Sequence, residues 1–507
     1  MLAAVRSAAL VGIDAYDVTV EVDATPGLPQ WTVVGLPAGS VKESRERVGS
    51  ALLNSGFHVP PRKLTINLAP ADVKKEGTAF DLPIAIAILI ATGQLPPENA
   101  AGFLFVGELG LDGSVRSIRG SLCIARHAAR TRGMTLVTPV ANHAEAARVT
   151  ALKVAGASDL ATLVRQLRAE SVQIPERARL PQRSETADLD FADVIGQESA
   201  KRALEVAAAG GHNVLMVGPP GAGKTMLARR LPSILPPLSE EEALEVIAIH
   251  SVAGTLSASE VSTVARPFRA PHHSISAAGL VGGGSHPRPG EVSLAHNGVL
   301  FLDEMLEFPR SVLEGMRQPM EDARVVISRA ASSITYPARF TLIGATNPCP
   351  CGQAGNPNAV CACAPADLAR YGARISGPLA DRIDMHVSIG AVSLRHLSET
   401  RSTEPSAAVR SRVEQARATQ QQRLRRTTAN CNAHVSGLWL DRHTPIDRNA
   451  RGLLQNAAER LGLSARGYHR VLKVARTIAD IDGDISILSS HVAEALRYRP
   501  MKSEPTT

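Results

Sequence analysis

The segment at residues 218–225 has the residue types and the spacing of a phosphate-binding loop. It reads Gly-Pro-Pro-Gly-Ala-Gly-Lys-Thr, follows the apolar run 213–217 and precedes the helix-like run 226–231. Such glycines let backbone N–H groups point at phosphate oxygens, and the helix N-terminus adds a favourable dipole. We predict that ATP binds here, with Lys224 reaching the β- and γ-phosphates and Thr225 coordinating Mg²⁺. The predicted contact residues are Gly218, Pro219, Pro220, Gly221, Ala222, Gly223, Lys224 and Thr225.

Two further apolar runs end in polar residues that would complete a hydrolytic site. The run 298–302 leads into Asp303 and Glu304, and the run 340–345 is followed closely by Asn347. Downstream of a phosphate-binding loop, this order predicts that Asp303 holds Mg²⁺ through water and that Glu304 polarises the attacking water. Asn347 would contact the γ-phosphate or that water; the alternative is an asparagine in a strand-end turn.

The nucleotide base has its own candidate contacts. Ile195 and Gly196 precede the helix-like run 199–209, upstream of the strand that leads into the phosphate-binding loop. Their position predicts that they pass the adenine ring.

Two arginines are candidates for completing the site. The string Gly-Pro-Leu-Ala-Asp-Arg-Ile-Asp around Arg382 resembles the segment that carries the arginine finger of hexameric helicases. Such a finger acts on the ATP of a neighbouring subunit and is worth about 10³–10⁵ in rate; the alternative is an ion pair with Asp381 or Asp384. Arg466 opens a predicted helix at the position of a sensor 2 arginine, and Arg470 is its rival one turn later.

Four of the six cysteines lie within fifteen residues, as Cys349-Pro-Cys351 and Cys361-Ala-Cys363. Four thiolates suit a tetrahedral structural Zn²⁺, although one residue between paired cysteines is a tighter spacing than the usual two to four. The alternative is four reduced thiols in a turn rich in proline and glycine.

Length and composition indicate a multidomain globular protein. The 507 residues exceed one ordinary core, and 44% hydrophobic with 20% charged residues is usual for a folded chain. No apolar run is long enough to span a membrane, and the alternating start of the chain predicts a strand rather than a signal peptide, so we expect a cytoplasmic protein. The net charge of +7 is compatible with a polyanionic partner without indicating one.

The pattern along the chain predicts four segments of an α/β multidomain protein. Residues 1–168 mix alternating strands with helices, and residues 169–189 form a polar linker. Residues 190–392 repeat apolar strand, loop and helix, which is typical of a parallel sheet covered on both faces. Residues 393–507 are helical and rich in arginine.

Longer strings in the same region carry a family resemblance. The chain resembles the ComM/YifB family of magnesium-chelatase-like AAA+ proteins, and the resemblance extends over nearly its whole length. The strings are Arg-Pro-Phe-Arg-Ala-Pro-His-His at 266–273, Leu-Val-Gly-Gly-Gly at 280–284, Pro-Gly-Glu-Val-Ser-Leu-Ala-His-Asn-Gly at 289–298 and Asn-Pro-Cys-Pro-Cys-Gly at 347–352.

The resemblance implies a fold and a function. It implies a Lon-protease-like (ribosomal S5-type) α+β N-terminal domain, an AAA+ core and a C-terminal helical domain. It also implies a homo-hexamer that uses ATP and Mg²⁺ to drive branch migration on single-stranded or branched DNA, in recombination and natural transformation, with recombination proteins as further partners. The alternative is a magnesium chelatase motor subunit acting on a porphyrin.

The Lon-like resemblance does not extend to a protease site. Ala79 occupies the position of the Lon nucleophilic serine, and Leu122 that of its lysine. Because alanine cannot attack a carbonyl and leucine cannot accept a proton, we expect no proteolysis. Ser121, Lys74 and Lys75 lie nearby in the sequence but do not align with the pair.

Two predicted insertions and one helix are candidates for contacting DNA. The insertions are residues 272–288 and 322–339, the second with Arg324, Arg329 and Arg339 on a predicted hairpin. The helix at 406–426 carries six arginines, which indicates either a solvated face or a DNA-facing arm.

Overall fold

The computed structural model describes residues 2–175, 189–257, 261, 264–284, 287–329, 332–354, 359–390 and 403–499. The chain forms two compact units. The described parts of Met1–Ser184, Glu240–Val264 and Ser328–Tyr336 make the first unit, and those of Glu185–Ser239, Ala265–Ile327 and Pro337–Thr507 make the second.

A seven-stranded mixed sheet organises the first unit. Its strand order is β3-β4-β2-β1-β5-β8-β9; β1, β2 and β4 are antiparallel neighbours, and the remaining pairs are parallel. The predicted alternation in β2 is confirmed, since Val18, Val20 and Val22 are buried between less buried neighbours. The strands are β1 (Leu2–Val11), β2 (Asp14–Thr25), β3 (Gln30–Val34), β4 (Lys63–Ala69), β5 (Phe103–Phe105), β8 (Thr135–Pro139) and β9 (Lys153–Ala157), with a separate ribbon of β6 (Glu108–Leu109) and β7 (Val115–Arg116).

The helices of the first unit cover this sheet. All eleven residues of α3 (Asp81–Ala91) are buried, as expected for a helix that is apolar on every side. The remaining helices are α1 (Gly39–Lys42), α2 (Ser44–Asn54), α4 (Ser121–Ala128), α5 (Val140–Ala146), α6 (Leu160–Arg168) and the 3₁₀ turn Pro97–Ala100.

Helix α9 (Glu240–Ala253) belongs to the first unit although it follows the phosphate-binding loop in the chain. Its Ser251 hydroxyl donates to the buried carboxylate of Glu145 and accepts from the N–H of Gly120 at 2.8 Å. The N–H of Leu122 also donates to Glu145, at 2.7 Å. Burial raises the pKa of Glu145, and these donors only partly offset that rise.

A five-stranded parallel sheet forms the core of the second unit, in the order β11-β14-β17-β10-β18. The three strands predicted from apolar runs are confirmed to within one residue at each end. Their residues are almost all buried because helices cover both faces of the sheet. The strands are β10 (Val214–Val217), β11 (Phe268–Arg269), β14 (Val299–Leu302), β17 (Thr341–Thr346) and β18 (Met385–Ser388).

Small ribbons and helices complete the second unit. The ribbons are β12 (Gly282–Gly283) with β13 (Arg288–Pro289), and β15 (Arg324–Arg329) with β16 (Ser332–Pro337), which is the predicted hairpin. The described part of Ser328–Tyr336, and with it nearly all of β16, belongs to the first unit. The helices are α7 (Glu198–Gly210), α8 (Lys224–Ile234), α10 (Ala277–Val281), α11 (Glu291–Leu294), α12 (Arg310–Gly315), α13 (Arg317–Asp322), α14 (Pro365–Gly372), α15 (Gly377–Ala380), α16 (Ser406–Leu424), α17 (Gly437–His443), α18 (Arg448–Leu461), α19 (Ala465–Asp482) and α20 (Ser489–Arg497), with 3₁₀ turns at Phe191–Asp193, Met305–Glu307 and Asn432–His434.

The arginines of α16 hold this helix against its neighbours. Arg410 donates to the Ser233 carbonyl at 2.8 Å, and Arg417 donates to the Ala208 carbonyl at 2.8 Å. Arg412 pairs with Glu205 and Glu404, and Arg423 pairs with Asp480. The interpretation of α16 as a solvated face or a DNA-facing arm is therefore wrong for these four arginines.

Several predictions fall partly outside the described residues, including the insertions 272–288 and 322–339 and the side chain of Arg329. Most of the linker (176–188) and the start of the C-terminal region (393–402) lie there, and residues 171–175 form neither helix nor strand. The limits of the predicted domains stay a prediction. Among the described helices, none combines the length and the apolar character needed to cross a bilayer.

We predict that Asp480→Ala destabilises the second unit by about 3–5 kcal/mol, because it removes the carboxylate from a buried ion pair. Asp480 accepts from Arg423 at 2.6 Å and from Arg476 at 3.0 Å, and its side chain is fully buried with that of Arg476. The exposed Glu459→Ala is the control and should change stability by less than about 0.5 kcal/mol. Equal denaturant midpoints for the two variants would contradict this prediction.

Candidate nucleotide site

Three parallel strands bring the predicted site residues to one edge of the second unit's sheet. Strand β10 leads into the phosphate-binding loop, β14 into Asp303 and Glu304, and β17 into Asn347. Because neighbouring strands pair in parallel, their carboxyl ends meet at the same edge. Ligands of open α/β sheets bind in the crevice outside such ends.

Lys224 links the loop to the end of β17. Its ammonium donates to the carbonyls of Gly218 at 2.6 Å and Pro219 at 2.9 Å, and to Asn347 Oδ1 at 3.1 Å. Burial lowers the pKa of Lys224, while the carboxylates of Asp303 and Glu304 oppose that shift. The structure thus brings the predicted sensor asparagine and the predicted phosphate lysine into direct contact.

Thr225 and Asp303 are also brought together. The threonine hydroxyl donates to Asp303 Oδ2 at 2.7 Å. Hydroxyl and carboxylate oxygens at the mouth of a phosphate-binding loop are the ligands that Mg²⁺ prefers in such sites. The residues therefore fit the predicted metal.

Glu304 lies beside them in an unusual conformation. Its φ of +48° is in the left-handed region, and its N–H donates to Asp303 Oδ1 at 3.0 Å. The carboxylate is 57% exposed, with Oε2 3.8 Å from Nδ1 of His273. Sequence reasoning placed His273 in an insertion that could contact DNA and not at the nucleotide site, because a histidine in a loop carries no spacing signal that would connect it to a distant strand end.

The predicted adenine segment lies against the phosphate-binding loop. The Gln197 side chain, next to Gly196, donates to the Ala222 carbonyl at 3.3 Å and to the Gly390 carbonyl at 2.7 Å. Ile195 and Gly196 are half-buried there. The position is compatible with the predicted contact to the base.

The two predicted arginines line one cavity, and the phosphate-binding loop does not contribute to its described lining. Arg382 and Arg466 line a cavity of about 430 Å³ with Arg339, Arg470 and Lys473, and no residue of the phosphate-binding loop is among its described lining. Within one chain, the structure therefore does not bring either arginine to the loop.

Arg382 pairs with an acid that the sequence did not indicate. Its guanidinium binds Glu321 and donates to the Pro378 carbonyl at 2.7 Å. The ion pair that was the alternative to a finger therefore forms with a residue of α13 and not with Asp381 or Asp384. Arg466 is exposed at the start of α19.

Arg470, the alternative candidate to Arg466, contacts other residues of the second unit. Its Nε lies 3.6 Å from Asp384 Oδ1, and its Nη1 donates to the Ile383 carbonyl at 3.4 Å. Burial opposes ionisation of Asp384, but His212 and Arg470 nevertheless lower its pKa to about 2. Because Arg470 has this fixed partner, Arg466 is the better placed of the two to reach an external ligand.

The four predicted zinc ligands converge next to the end of β17. Cys349, Cys351, Cys361 and Cys363 present sulfur atoms that all lie within 4.8 Å of one another. Backbone N–H groups of Gln353 and Ala362 donate to the Cys351 sulfur and lower the pKa of its thiol to about 6. This donor set is compatible with the predicted Zn²⁺.

Known proteins match the chain along most of its length. Family models described as "Magnesium chelatase, subunit ChlI", "Subunit ChlI of Mg-chelatase" and "Magnesium chelatase, subunit ChlI C-terminal" match residues 190–397, 20–142 and 403–499. The protein YifB of Salmonella typhimurium is 45% identical over 98% of this chain and 97% of its own length. The competence protein ComM of Haemophilus influenzae is 43% identical over 99% of this chain and 98% of its own.

The chain belongs to the ComM/YifB family of magnesium-chelatase-like proteins. This membership indicates an AAA+ ATPase that uses ATP and Mg²⁺. The Lon-like resemblance is also found in part, since Lon protease 2 of Bacillus subtilis is 29% identical over 37% of this chain and 37% of its own length.

The residues predicted at and near the Lon-like positions have local partners in the first unit. Leu122, which the resemblance places at the position of the Lon lysine, is fully buried. The nearby Ser121 hydroxyl is bonded to Thr138 at 3.2 Å, and Lys74 pairs with Glu76 at 2.8 Å. The serine and Lys74 are therefore each bonded to another residue.

We predict that Lys224→Ala abolishes ATP binding and that Glu304→Gln retains binding but lowers turnover about 10²-fold or more, the usual effect of losing a general base. Titration with a fluorescent ATP analogue and steady-state phosphate release separate the two effects. Glu241→Gln, an exposed residue of α9, is the control. Wild-type turnover by Glu304→Gln would remove Glu304 from the mechanism.

Proposed function

We propose that this protein is an ATP-driven DNA motor that works as a homo-hexameric ring and promotes branch migration during recombination and natural transformation. The observation that carries the proposal is the separation of Arg382 and Arg466 from the phosphate-binding loop of their own chain. In a ring, the phosphates of a neighbouring subunit's ATP would be the anion that these arginines contact, with Glu321 giving up Arg382.

The residues at the sheet edge have distinct tasks in this proposal. Lys224 neutralises the β- and γ-phosphates, exchanging its carbonyl contacts for phosphate oxygens. Thr225 and Asp303 hold Mg²⁺, which offsets the charge that develops on the phosphate oxygens. Glu304 orients and polarises the attacking water, and Asn347 reports the γ-phosphate to the end of β17. Arg382 and Arg466 would stabilise the transition state from the next subunit.

DNA is the proposed load for two reasons. A full-length relative is named a competence protein, which supports a role in the uptake or integration of DNA. The hairpin of β15 and β16 also carries the exposed Arg324, a candidate phosphate contact. Arg339 lines the arginine cavity instead, so we assign it to the subunit interface.

Chelation is the second candidate, because all three matching family models are named for a magnesium chelatase subunit. The two functions share the ATPase core and differ in the load. Stimulation of ATP turnover by branched DNA, or by a porphyrin with a large porphyrin-binding subunit, discriminates between them.

We predict ATP-dependent strand exchange on a labelled three-stranded or four-way DNA junction. The wild-type protein should convert the junction to strand-exchange product at a rate that rises with the concentration of assembled rings. Lys224→Ala should form no such product. Absence of conversion by assembled, ATP-hydrolysing protein would overturn the DNA motor.

We predict that Lys224→Ala and Arg382→Ala complement each other in mixed rings. Each variant alone lacks one half of every composite site, whereas roughly a quarter of the interfaces in an equal mixture join an intact loop to an intact arginine. ATP turnover should therefore appear on mixing, measured by phosphate release. Arg425→Ala, at an exposed position after α16, is the matched control and should be active alone. A mixture as inactive as its components would contradict action between subunits.

A further inference from the structure

The loop that carries the first two cysteines lies directly against the phosphate-binding loop. Gly352 is buried, with a φ of +77°, and a Cβ built on it would lie 2.7 Å from Cδ and 2.8 Å from Cγ of Pro220. Only glycine allows both this backbone conformation and this close approach. The conformation of the loop that carries Cys349 and Cys351 therefore determines how closely Gly352 packs against Pro220.

The same loop continues from Asn347, which accepts from Lys224 at 3.1 Å. Cys349 is fully buried two residues later, and its carbonyl accepts from the Gly352 N–H at 2.9 Å. Two points of the loop thus meet the nucleotide site: Asn347 at Lys224, and Gly352 at Pro220.

Three of the four sulfur atoms have separations close to those of a tetrahedral zinc site, and the Cys363 sulfur lies within 4.8 Å of them. Zn–S bonds of about 2.3 Å in a tetrahedron place the sulfurs about 3.8 Å apart. The observed separations are 3.3 Å for Cys349–Cys351, 3.6 Å for Cys351–Cys361 and 3.7 Å for Cys361–Cys349. The backbone donors to Cys351 match the hydrogen bonds that support metal-bound thiolates.

We propose that Cys349, Cys351, Cys361 and Cys363 bind one Zn²⁺. We also propose that the loop 347–352, which carries two of these cysteines, supports the phosphate-binding loop, as a brace, through the contact of Gly352 with Pro220. Binding forms four Zn–S bonds, and each cysteine that is still a thiol releases its proton to solvent. Loss of zinc frees the loop, so Asn347 and Pro220 lose their fixed positions and nucleotide affinity falls. The inference rests on nucleotide binding at residues 218–225 and is independent of the DNA load.

Metal analysis of the full chain, purified without chelator, tests the site itself. We expect one zinc per chain in the wild type and in Cys123→Ala, whose cysteine lies in the first unit, and about none in Cys351→Ser/Cys361→Ser. Iron in place of zinc, or no metal together with four free thiols, would overturn the zinc site.

A pair of glycine variants tests the brace while leaving the four ligands in place. Gly352→Ala adds a methyl group against Pro220, whereas Gly372→Ala, in α14, meets nothing within 4 Å. With zinc content and thermal unfolding measured alongside, we expect Gly352→Ala to keep its zinc and to raise the Kd of a fluorescent ATP analogue about tenfold or more, as loss of supporting contacts does elsewhere. Gly372→Ala should bind like the wild type.

The outcomes separate the brace from the nucleotide site. A zinc-loaded, folded Gly352→Ala with wild-type affinity overturns the brace, and so does a zinc-free double-serine variant that binds the analogue normally. Analogue binding by Lys224→Ala would instead show that the nucleotide site lies elsewhere. Because DNA is absent from these titrations, failure of strand exchange affects neither result.

Discussion

The nucleotide site depends on the hydrogen bonds that the ammonium group of Lys224 donates. It lies at the carboxyl edge of five parallel strands and joins the Gly218 and Pro219 carbonyls to Asn347. Buried cations need such partners, because removal from water without compensation costs several kcal/mol. The contact couples the end of β17 to the loop after β10. Thr225 and Asp303 form a parallel link at 2.7 Å on the neighbouring strand end.

A second constraint concerns the arginines. The pairing of Arg470 with Asp384 ties α19 to the loop before β18, which fixes the start of α19 and leaves Arg466 exposed at its first turn. Arg382, with Glu321 as partner, lines the same cavity. The Glu321 side chain is 54% exposed, whereas that of Arg382 is 13% exposed, so one partner of this ion pair is solvated and the other is largely buried.

Some segments that lie within the ATPase region of the sequence belong to the first unit of the structure. Helix α9 and residues 328–336 belong to the first unit, and Ser251 of α9 completes the environment of the buried Glu145. Leu122, at the position of the Lon lysine, packs with Ile247 and Ala248 in the same cluster. In this unit Leu122 therefore contributes to packing.

The sequence by itself determined the motif order, the three central strands and the family, because these depend on local spacing and on periodic burial. The predicted groups at the strand ends also met in space, since parallel strands bring their carboxyl ends to one edge. The tertiary structure alone decided the partners of charged residues: Glu321 for Arg382, Asp480 for Arg423 and the approach of His273 to Glu304. Charge patterns along a helix do not distinguish an exposed face from an ion-paired one, because the partners come from distant segments. The same reason applies to Gly352, whose need for glycine arises only from the Pro220 ring beside it.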